Sequence, residues 1–232
     1  MALYRWETHA HTAEGSACGR SSAADMVRGA AAAGYDGIFI TDHFYHGNTR
    51  PDRSLPWEDW VRAFCAGYDR ARETGSHLGI TVLFGWEYSW NGNDFLTYGL
   101  SPEWLLAHPE TVTLSAPGYL QLVRDAGAFI VHAHPFRQAD YIEAIRLLPA
   151  AVDAVEVYNG GNADPAENDR AKWYAESYSL PQTSGSDAHF RADFTGGILT
   201  ELDIRSARDY AAAVCGAHPP VLLPEQDAHS AK

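Results

Sequence analysis

The chain has 232 residues, 46% of them hydrophobic and 20% charged, a composition that supports a sizeable apolar core. A formal net charge of -13 argues against stable, sequence-independent binding to duplex nucleic acid, because that binding depends on lysines and arginines that neutralise phosphates. α/β barrels of this length occur as single domains, so we expect one domain over residues 1–223 and a frayed, polar C-terminal tail over 224–232.

Three scattered cysteines, Cys18, Cys65 and Cys215, do not form the pattern of a disulfide framework. The amino terminus has no basic segment followed by an apolar run, and the chain has no stretch of about 18 consecutive apolar residues. The sequence therefore predicts neither secretion nor membrane insertion, and we expect a cytoplasmic protein. It leaves the oligomeric state open.

Along the chain, short apolar runs alternate with amphipathic segments. Strands are predicted over residues 3–7, 36–41, 79–86, 95–99, 128–131, 154–158 and 180–184. Helices are predicted over residues 22–34, 57–74, 115–126, 140–148 and 164–178, with a turn at 91–94 and a less regular ending. This alternation indicates a parallel sheet, either open or closed into a barrel.

The first predicted strand is followed by His9 and His11. If the chain stays extended there, its period of two places both imidazoles on the same side, where they can bind one zinc, manganese or iron ion. A motif this short also occurs as two half-exposed loop histidines, so the other strand ends must decide between the two interpretations.

Polar residues follow the other predicted strands as well. They are Asp42, His43, Glu87, His134, Asn159, Asp187 and His189. In a parallel barrel the carboxyl ends of all strands surround one mouth, whereas an open doubly wound sheet would place these residues in a line. Histidines together with carboxylates favour hard or borderline divalent metals. No phosphate-cradling glycine loop or nucleophile elbow is present, so covalent serine chemistry is not favoured.

Six ordered segments resemble the motifs of the polymerase and histidinol phosphatase (PHP) superfamily. They are His9-Ala10-His11-Thr12, Thr41-Asp42-His43, Gly85-Trp86-Glu87, Ala133-His134-Pro135-Phe136-Arg137, Glu156-Val157-Tyr158-Asn159-Gly160 and Gly185-Ser186-Asp187-Ala188-His189. The resemblance implies a distorted seven-stranded (β/α) barrel, similar to a TIM barrel, with its active site at the carboxyl ends of the strands. It also implies two to three divalent ions (Mn, Zn or Fe) and hydrolysis of a phosphate ester by a metal-activated water.

Carried over by position, the resemblance implies three metal sites. The first would use His9, His11, Glu87 and Asp187; the second Glu87, His134 and Asp94; the third His43, His189 and Glu14. Asp94 stands where many relatives have a histidine, and Glu14 is the candidate for the His or acidic ligand that relatives have a few positions past the first motif. Arg137 and Arg191 are expected to hold the phosphate, and Asp187 or Asp42 to transfer the proton.

The expected partner is a small phosphorylated substrate. Two other functions stay open: an amidohydrolase that cleaves C–N bonds on the same barrel, and a non-catalytic module stabilised by metal. The first is disfavoured because the bridging lysine of many such enzymes has no candidate at a strand end. The second is disfavoured because the ligand types are nearly complete.

Overall fold

The computed structural model describes residues 2–224, so residues 225–232 of the predicted tail lie outside the described part. The strands are β1 (Tyr4–Glu7), β2 (Gly37–Ile40), β3 (Thr81–Trp90), β4 (Asn93–Tyr98), β5 (Phe129–Ala133), β6 (Ala154–Asn159), β7 (Gln182–Gly185), β8 (Gly197–Thr200) and β9 (Val221–Leu223). The α-helices are α1 (Ala23–Ala32), α2 (Trp57–Leu78), α3 (Pro102–Ala107), α4 (Ala116–Asp125), α5 (Pro165–Ser177) and α6 (Ala207–Cys215).

The strands form one sheet in the order β7-β6-β5-β4-β3-β2-β1-β8-β9. Strands β1 to β7 curve into a nearly closed barrel, and Ala10, just after β1, pairs with Ala188, just after β7. The predicted (β/α) barrel of seven strands is therefore confirmed. Strand β8 extends the sheet beyond β1 as an antiparallel neighbour, and β9 pairs with β8.

One strand departs from the predicted parallel arrangement. Strand β4 is antiparallel to both β3 and β5, because β3 and β4 form a hairpin. Asn91 and Gly92, in the predicted turn, have φ angles of 49° and 76°, the backbone that a tight two-residue hairpin requires. Strand β3 continues to Trp90, and Glu87 therefore lies within it.

Two helix predictions were wrong in part or in full. Helix α2 continues through Gly75 to Leu78, and it ends at Gly79, whose φ of 74° is the left-handed conformation of a helix cap. Residues 140–148 follow an irregular path. The Asn93 side chain of β4 holds this segment: its Nδ2 donates to Ala144 O at 3.0 Å, and its Oδ1 accepts from Arg146 N at 2.8 Å.

The N-terminal ends of three helices carry the expected caps. Ser22 Oγ accepts from the backbone of α1, Ser115 Oγ from that of α4, and Asp164 from that of α5. Each cap satisfies a backbone N–H that has no partner within the helix. Helices α1, α4 and α5 thus begin at positions fixed by local sequence.

The buried core extends to the first ligand loop. Trp6, Phe39, Tyr98 and Tyr210 pack together, each at most 1% exposed, and the Tyr98 hydroxyl donates to Thr8 O at 2.8 Å. Residue 8 directly precedes the first histidine of the motif. Close packing of large rings leaves the end of β1 few alternative positions.

Candidate metal centre

His9 and His11 follow β1 in extended chain. Ala10 between them forms the bridge to Ala188: His11 N donates to Ala188 O at 2.9 Å and Ala188 N donates to His9 O at 3.2 Å. Alternate residues of an extended chain share a face, so the two rings point the same way and their Nε2 atoms lie 3.2 Å apart. Both side chains are fully buried.

Glu87 lies at the centre of the cluster, on β3. Its Oε1 is 2.9 Å from His134 Nε2, and its Oε2 is 2.6 Å from His43 Nδ1. Asp94, on the neighbouring strand β4, is also buried, with Oδ2 3.9 Å from His134 Nε2. The hairpin of β3 and β4 therefore brings Asp94 to the same group as Glu87 and His134.

Asp187 connects the opposite side of the barrel to the cluster. It has a φ of 52°, and its Oδ1 lies 3.0 Å from His11 Nε2 and 3.6 Å from His9 Nε2. Its Oδ2 is 2.7 Å from the Arg137 guanidinium. His189 Nδ1 donates to the Asp187 carbonyl at 2.8 Å, so Nε2 of that ring stays available.

Three groups of potential ligand atoms result, each with all its atoms within 4.8 Å of one another. They are His9, Glu87 and His134; His9, His11 and Asp187; and His11, His43 and His189. Adjacent groups share a histidine. The predicted ligands from five separate loops and strands therefore meet at the carboxyl end of the barrel.

The ring of His9 is oriented by Glu156 of β6. A carboxylate only accepts hydrogen bonds, so His9 Nδ1 donates to Glu156 Oε1, at 2.9 Å, and leaves Nε2 free. Glu156 Oε2 accepts from His134 N at 3.1 Å and from Asn159 Nδ2 at 2.8 Å. One buried carboxylate thus fixes the positions of two of the predicted ligands.

Asp42 likewise supports a predicted ligand and is not one of the residues that line the cavity described below. It accepts from Thr12 N, Thr12 Oγ1 and Ser16 Oγ, each at 2.7 Å. Ser16 Oγ in turn lies 3.0 Å from His11 Nδ1, and because its own proton goes to Asp42, it accepts from that ring. Asp42 therefore orients His11 through Ser16.

The two central carboxylates are held in the ionised state. Burial acts to raise the pKa of Glu87, but His43 and His9 more than offset it and hold that pKa well below its usual range. Burial also acts to raise the pKa of Asp187, but the charges of His9 and Arg137 hold that pKa well below its usual range. Ionised carboxylates in contact with imidazoles are suited to bind a divalent cation.

Two predicted site residues lie away from the cluster. Glu14 turns to the start of α1, where Oε2 accepts from Ala23 N at 2.8 Å, and its Oε1 accepts from Arg70 at 3.2 Å. Arg191 is exposed, and its backbone N donates to Ser21 Oγ at 3.1 Å. The structure therefore supports neither Glu14 as a third-site ligand nor Arg191 as a phosphate contact.

A cavity of about 470 Å³ opens onto the cluster. Its walls include Cys18, His43, Asp94, Arg137, Asp187 and His189. Burial acts to raise the pKa of the Cys18 thiol, but the adjacent His189 and His43 lower it to about 6. Polar groups thus converge on a space large enough for a small molecule.

Comparisons with known proteins agree with the barrel. A two-domain protein from Bacteroides vulgatus, described as containing a predicted PHP-like metal-dependent phosphoesterase, has a TM-score of 0.69 at 17% identity over 92% of this chain. This chain covers 62% of that protein. A proposed metal-dependent phosphoesterase from Bifidobacterium adolescentis has a TM-score of 0.56 at 19% identity, covering 81% of this chain and 88% of its own.

A third similar structure is an amidohydrolase from Chromobacterium violaceum, solved with bound sulfate and no metal. Its TM-score is 0.59 at 16% identity, covering 96% of this chain and 99% of its own. A search of curated proteins gave no match. Residues 165–212 match the family model PHP_C, described as PHP-associated. This chain is therefore similar to PHP proteins in fold and, over residues 165–212, in sequence. The resemblance in the sequence motifs is thereby confirmed.

Divalent metals of the kind implied by the PHP motifs fit the residues present. Within residues 2–224, the buried oxygens Glu87 Oε2, Asp94 Oδ1 and Asp187 Oδ1 accept no hydrogen bond of normal geometry. Burying such atoms without a partner is costly, and a cation among them would remove the cost.

Among the helices of residues 2–224, none has the length and apolar character needed to span a membrane.

Two residues that support the predicted ligands, Glu156 and Ser16, had no role assigned from the sequence. Glu156 had a signal, since it is a charged residue within a buried apolar strand, and such a residue needs a buried partner. Ser16 had none, because its contact with His11 depends on the path of the loop. The buried His132 ring stacks on Phe95 in the core, with ring centroids 4.7 Å apart.

Proposed function

We propose that this PHP protein is a metal-dependent hydrolase that cleaves a phosphate ester in a small phosphorylated molecule. The observation that carries this proposal is the position of Arg137, whose guanidinium lies 2.7 Å from Asp187 Oδ2 in the cavity wall. A fixed cation therefore stands beside the predicted metal ligands. Arginine pairs well with phosphate oxygens, because its guanidinium stays charged and carries five N–H donors.

The surroundings keep Arg137 charged and fixed. Burial alone would lower the pKa of the guanidinium, but the Asp187 carboxylate raises it above its usual value. Arg137 Nη2 donates to Asn159 Oδ1 at 2.7 Å, and Nε donates to Asn162 Oδ1 at 3.1 Å. A guanidinium held by three partners loses little further freedom when an anion binds.

The ligand groups suggest which residues would bind each metal ion and which would transfer the proton. His9, His11, Glu87 and Asp187 would hold a first ion, and Glu87, His134 and Asp94 a second. Divalent ions bound there would lower the pKa of a water molecule and neutralise phosphate charge. Asp187 is the better candidate for proton transfer, because it lines the cavity, whereas the Asp42 oxygens already accept hydrogen bonds from Thr12 and Ser16.

Amide hydrolysis is the second candidate, favoured by the structural similarity to the amidohydrolase. That chemistry often uses a lysine between two metals. The chain has only Lys172 and Lys232; Lys172 is exposed on α5 and Lys232 lies outside the described residues. Phosphate-ester hydrolysis needs no such residue, so we place it first.

A substrate screen tests the proposal. Metal-depleted protein would be reloaded with Mn²⁺, Zn²⁺ or Fe²⁺ and assayed on phosphate monoesters, phosphate diesters and amides. We expect metal-dependent ester hydrolysis that His134→Ala and Asp187→Asn abolish without altering the circular dichroism spectrum. The exposed Arg62→Ala on α2 is the matched control. Faster amide than ester cleavage would favour the second candidate, and metal binding without turnover would favour a non-catalytic module.

A further inference from the structure

The side chain of Asn168, near the start of α5, pairs with the backbone of Asn159 at the end of β6. Its Oδ1 accepts from Asn159 N at 3.0 Å, and its Nδ2 donates to Asn159 O at 3.5 Å. One amide side chain thus binds both the N–H and the C=O of the same residue. Asn159 is 1% exposed, so these contacts satisfy backbone groups that water does not reach.

The same Asn168 oxygen also holds Asn162, in the loop after β6. Asn162 Nδ2 donates to Asn168 Oδ1 at 2.8 Å, and Asn162 Oδ1 accepts from Arg137 Nε at 3.1 Å. Arginine can only donate hydrogen bonds, so the atom of Asn162 that faces Arg137 must be the oxygen. The Asn162 amide therefore has one orientation that satisfies both of its neighbours.

A second path to the guanidinium runs through Asn159. The Asn159 side chain accepts at Oδ1 from Arg137 Nη2, at 2.7 Å, and from Gly161 N, at 2.8 Å. Its Nδ2 donates to the buried Glu156 at 2.8 Å. Asn168 thus holds both of the asparagines that contact Arg137, one by its backbone and the other by its side chain. Asn168 itself is not among the residues that line the cavity.

The adjacent residue of α5 holds the chain next to Arg137. Glu167 Oε1 accepts at 2.7 Å from the backbone N of Gln138, which directly follows Arg137. Local sequence determines where this helix begins, because Asp164 caps it and Pro165 occupies its first position. The start of α5 therefore determines where Glu167 and the neighbouring asparagine meet the loops around the guanidinium.

We propose that Asn168 is a positioning residue, which orients Asn159 and Asn162 so that the Arg137 guanidinium stays in place for the substrate phosphate. The inference rests on the proposed function, in which Arg137 binds phosphate, and it adds a residue outside the cavity that controls this binding. Removing the Asn168 oxygen leaves two donors without an acceptor and allows the Asn162 amide to turn. The guanidinium then loses a fixed partner, and phosphate binding must restrict more of its motion.

Nuclear magnetic resonance of the arginine Nε–H groups tests this role without relying on activity. The full chain would be labelled with ¹⁵N-arginine, and the Arg137 signal would be assigned by its absence in Arg137→Lys. Asn168→Ala should speed the exchange of the Arg137 Nε proton with solvent by about 5-fold, the effect of one lost hydrogen bond. Asn168→Asp should restore slow exchange, because aspartate keeps an oxygen acceptor for both donors. The exposed neighbour Asp169→Ala is the matched control.

Steady-state kinetics on the preferred phosphate ester give the second readout. Asn168→Ala should raise KM about 10-fold with a smaller change in kcat, because a displaced guanidinium weakens binding of the phosphate already in the substrate complex. Asn168→Asp should recover most of this loss. Asn162→Ala should reproduce the rise in KM, and the double variant should be less than additive, because both changes act on Arg137 through the same amide.

Two results would overturn the proposal. The first is an Arg137 Nε exchange rate in Asn168→Ala equal to that of the parent protein; if that variant does not fold, the same result in Asn162→Ala counts equally. The second is a lower kcat with unchanged KM, which would indicate a general structural role. Unchanged exchange beside ester hydrolysis by the parent would remove this inference and leave the proposed function standing. Faster exchange in the variant, with no phosphate-ester hydrolysis by the parent, would do the reverse.

Discussion

Glu156→Gln is the substitution that tests most directly how the metal centre is held in place. In the parent protein the two carboxylate oxygens accept from three donors, His9 Nδ1, His134 N and Asn159 Nδ2, at 2.8 to 3.1 Å. Glutamine has almost the same volume, but one of its two terminal atoms is an NH₂ donor. At least one of the three buried donors must therefore lose its acceptor.

The expected cost follows from those contacts. Loss of an outer partner of a metal-binding histidine typically weakens metal affinity by about 10- to 100-fold, which corresponds to roughly 1.4 to 2.8 kcal/mol. An unsatisfied buried donor also costs about 1 to 3 kcal/mol of folding stability. We expect Glu156→Gln to stay folded, with a lower melting temperature and weaker binding of Zn²⁺ or Mn²⁺.

Chelator-competition titration measures the affinity, and thermal unfolding of the metal-free protein measures the stability. Glu167→Gln is the matched control, because Glu167 is 3% exposed, accepts from Gln138 N at 2.7 Å and lies outside the three ligand groups. We expect it to leave metal affinity unchanged. Equal metal affinity in Glu156→Gln and the parent protein would refute the role assigned to Glu156.

Three other outcomes follow from the structure. Arg137→Lys keeps the charge but loses the planar fork, so kcat/KM for the preferred phosphate ester should fall about 100-fold, measured beside exposed Arg62→Lys; an unchanged value would exclude phosphate binding by Arg137. Removing metal with a chelator should lower the melting temperature by roughly 5 to 10 °C relative to protein with free metal at about 100 times its Kd, and an unchanged value would contradict metal binding. His132→Phe should raise the melting temperature, because the buried His132 nitrogens have no hydrogen-bond partner within residues 2–224. Burial lowers the pKa of His132 to about 3, so the unfolded chain binds more protons and the parent loses stability as pH falls from about 6.5 towards 3; denaturant titrations across that range should show a smaller loss in His132→Phe.

The barrel could be predicted from the sequence, because the sequence patterns that indicate it are local. Apolar runs of the right length, glycines after helices and polar residues at strand ends depend on neighbours along the chain. Strand direction does not have this property: the antiparallel pairing of β4 with β3 and β5 depends on which strands become neighbours in the sheet. The amphipathic pattern over residues 140–148 failed for a related reason, since Asn93, far away in sequence, binds Ala144 and Arg146.

In the candidate site, too, local patterns could be predicted and contacts between distant residues could not. His9, Glu87 and Asp187 could be predicted to meet, because they lie near the carboxyl ends of predicted strands and those ends surround one mouth of the barrel. Loop residues were harder, since Glu14 and Cys18 follow the same histidine motif at similar spacing. Which of them faces the cavity depends on the backbone bonds from Ala17 and Arg20 to other loops, and no local pattern reports those bonds.

The same arrangement ties metal binding to closure of the barrel. Ala10 and Ala188 join the ends of β1 and β7, and their bridge is flanked by His9 and His11 on one side and by Asp187 on the other. An ion held by these three side chains would therefore cross-link the first and last strands of the barrel. The two strands are far apart in the chain: Ser186, whose backbone N donates to Glu7 Oε1, is 179 residues from Glu7. Such a link therefore closes a long loop, which costs considerable chain entropy. The stability gained on metal binding should for this reason appear chiefly at the junction of β1 and β7.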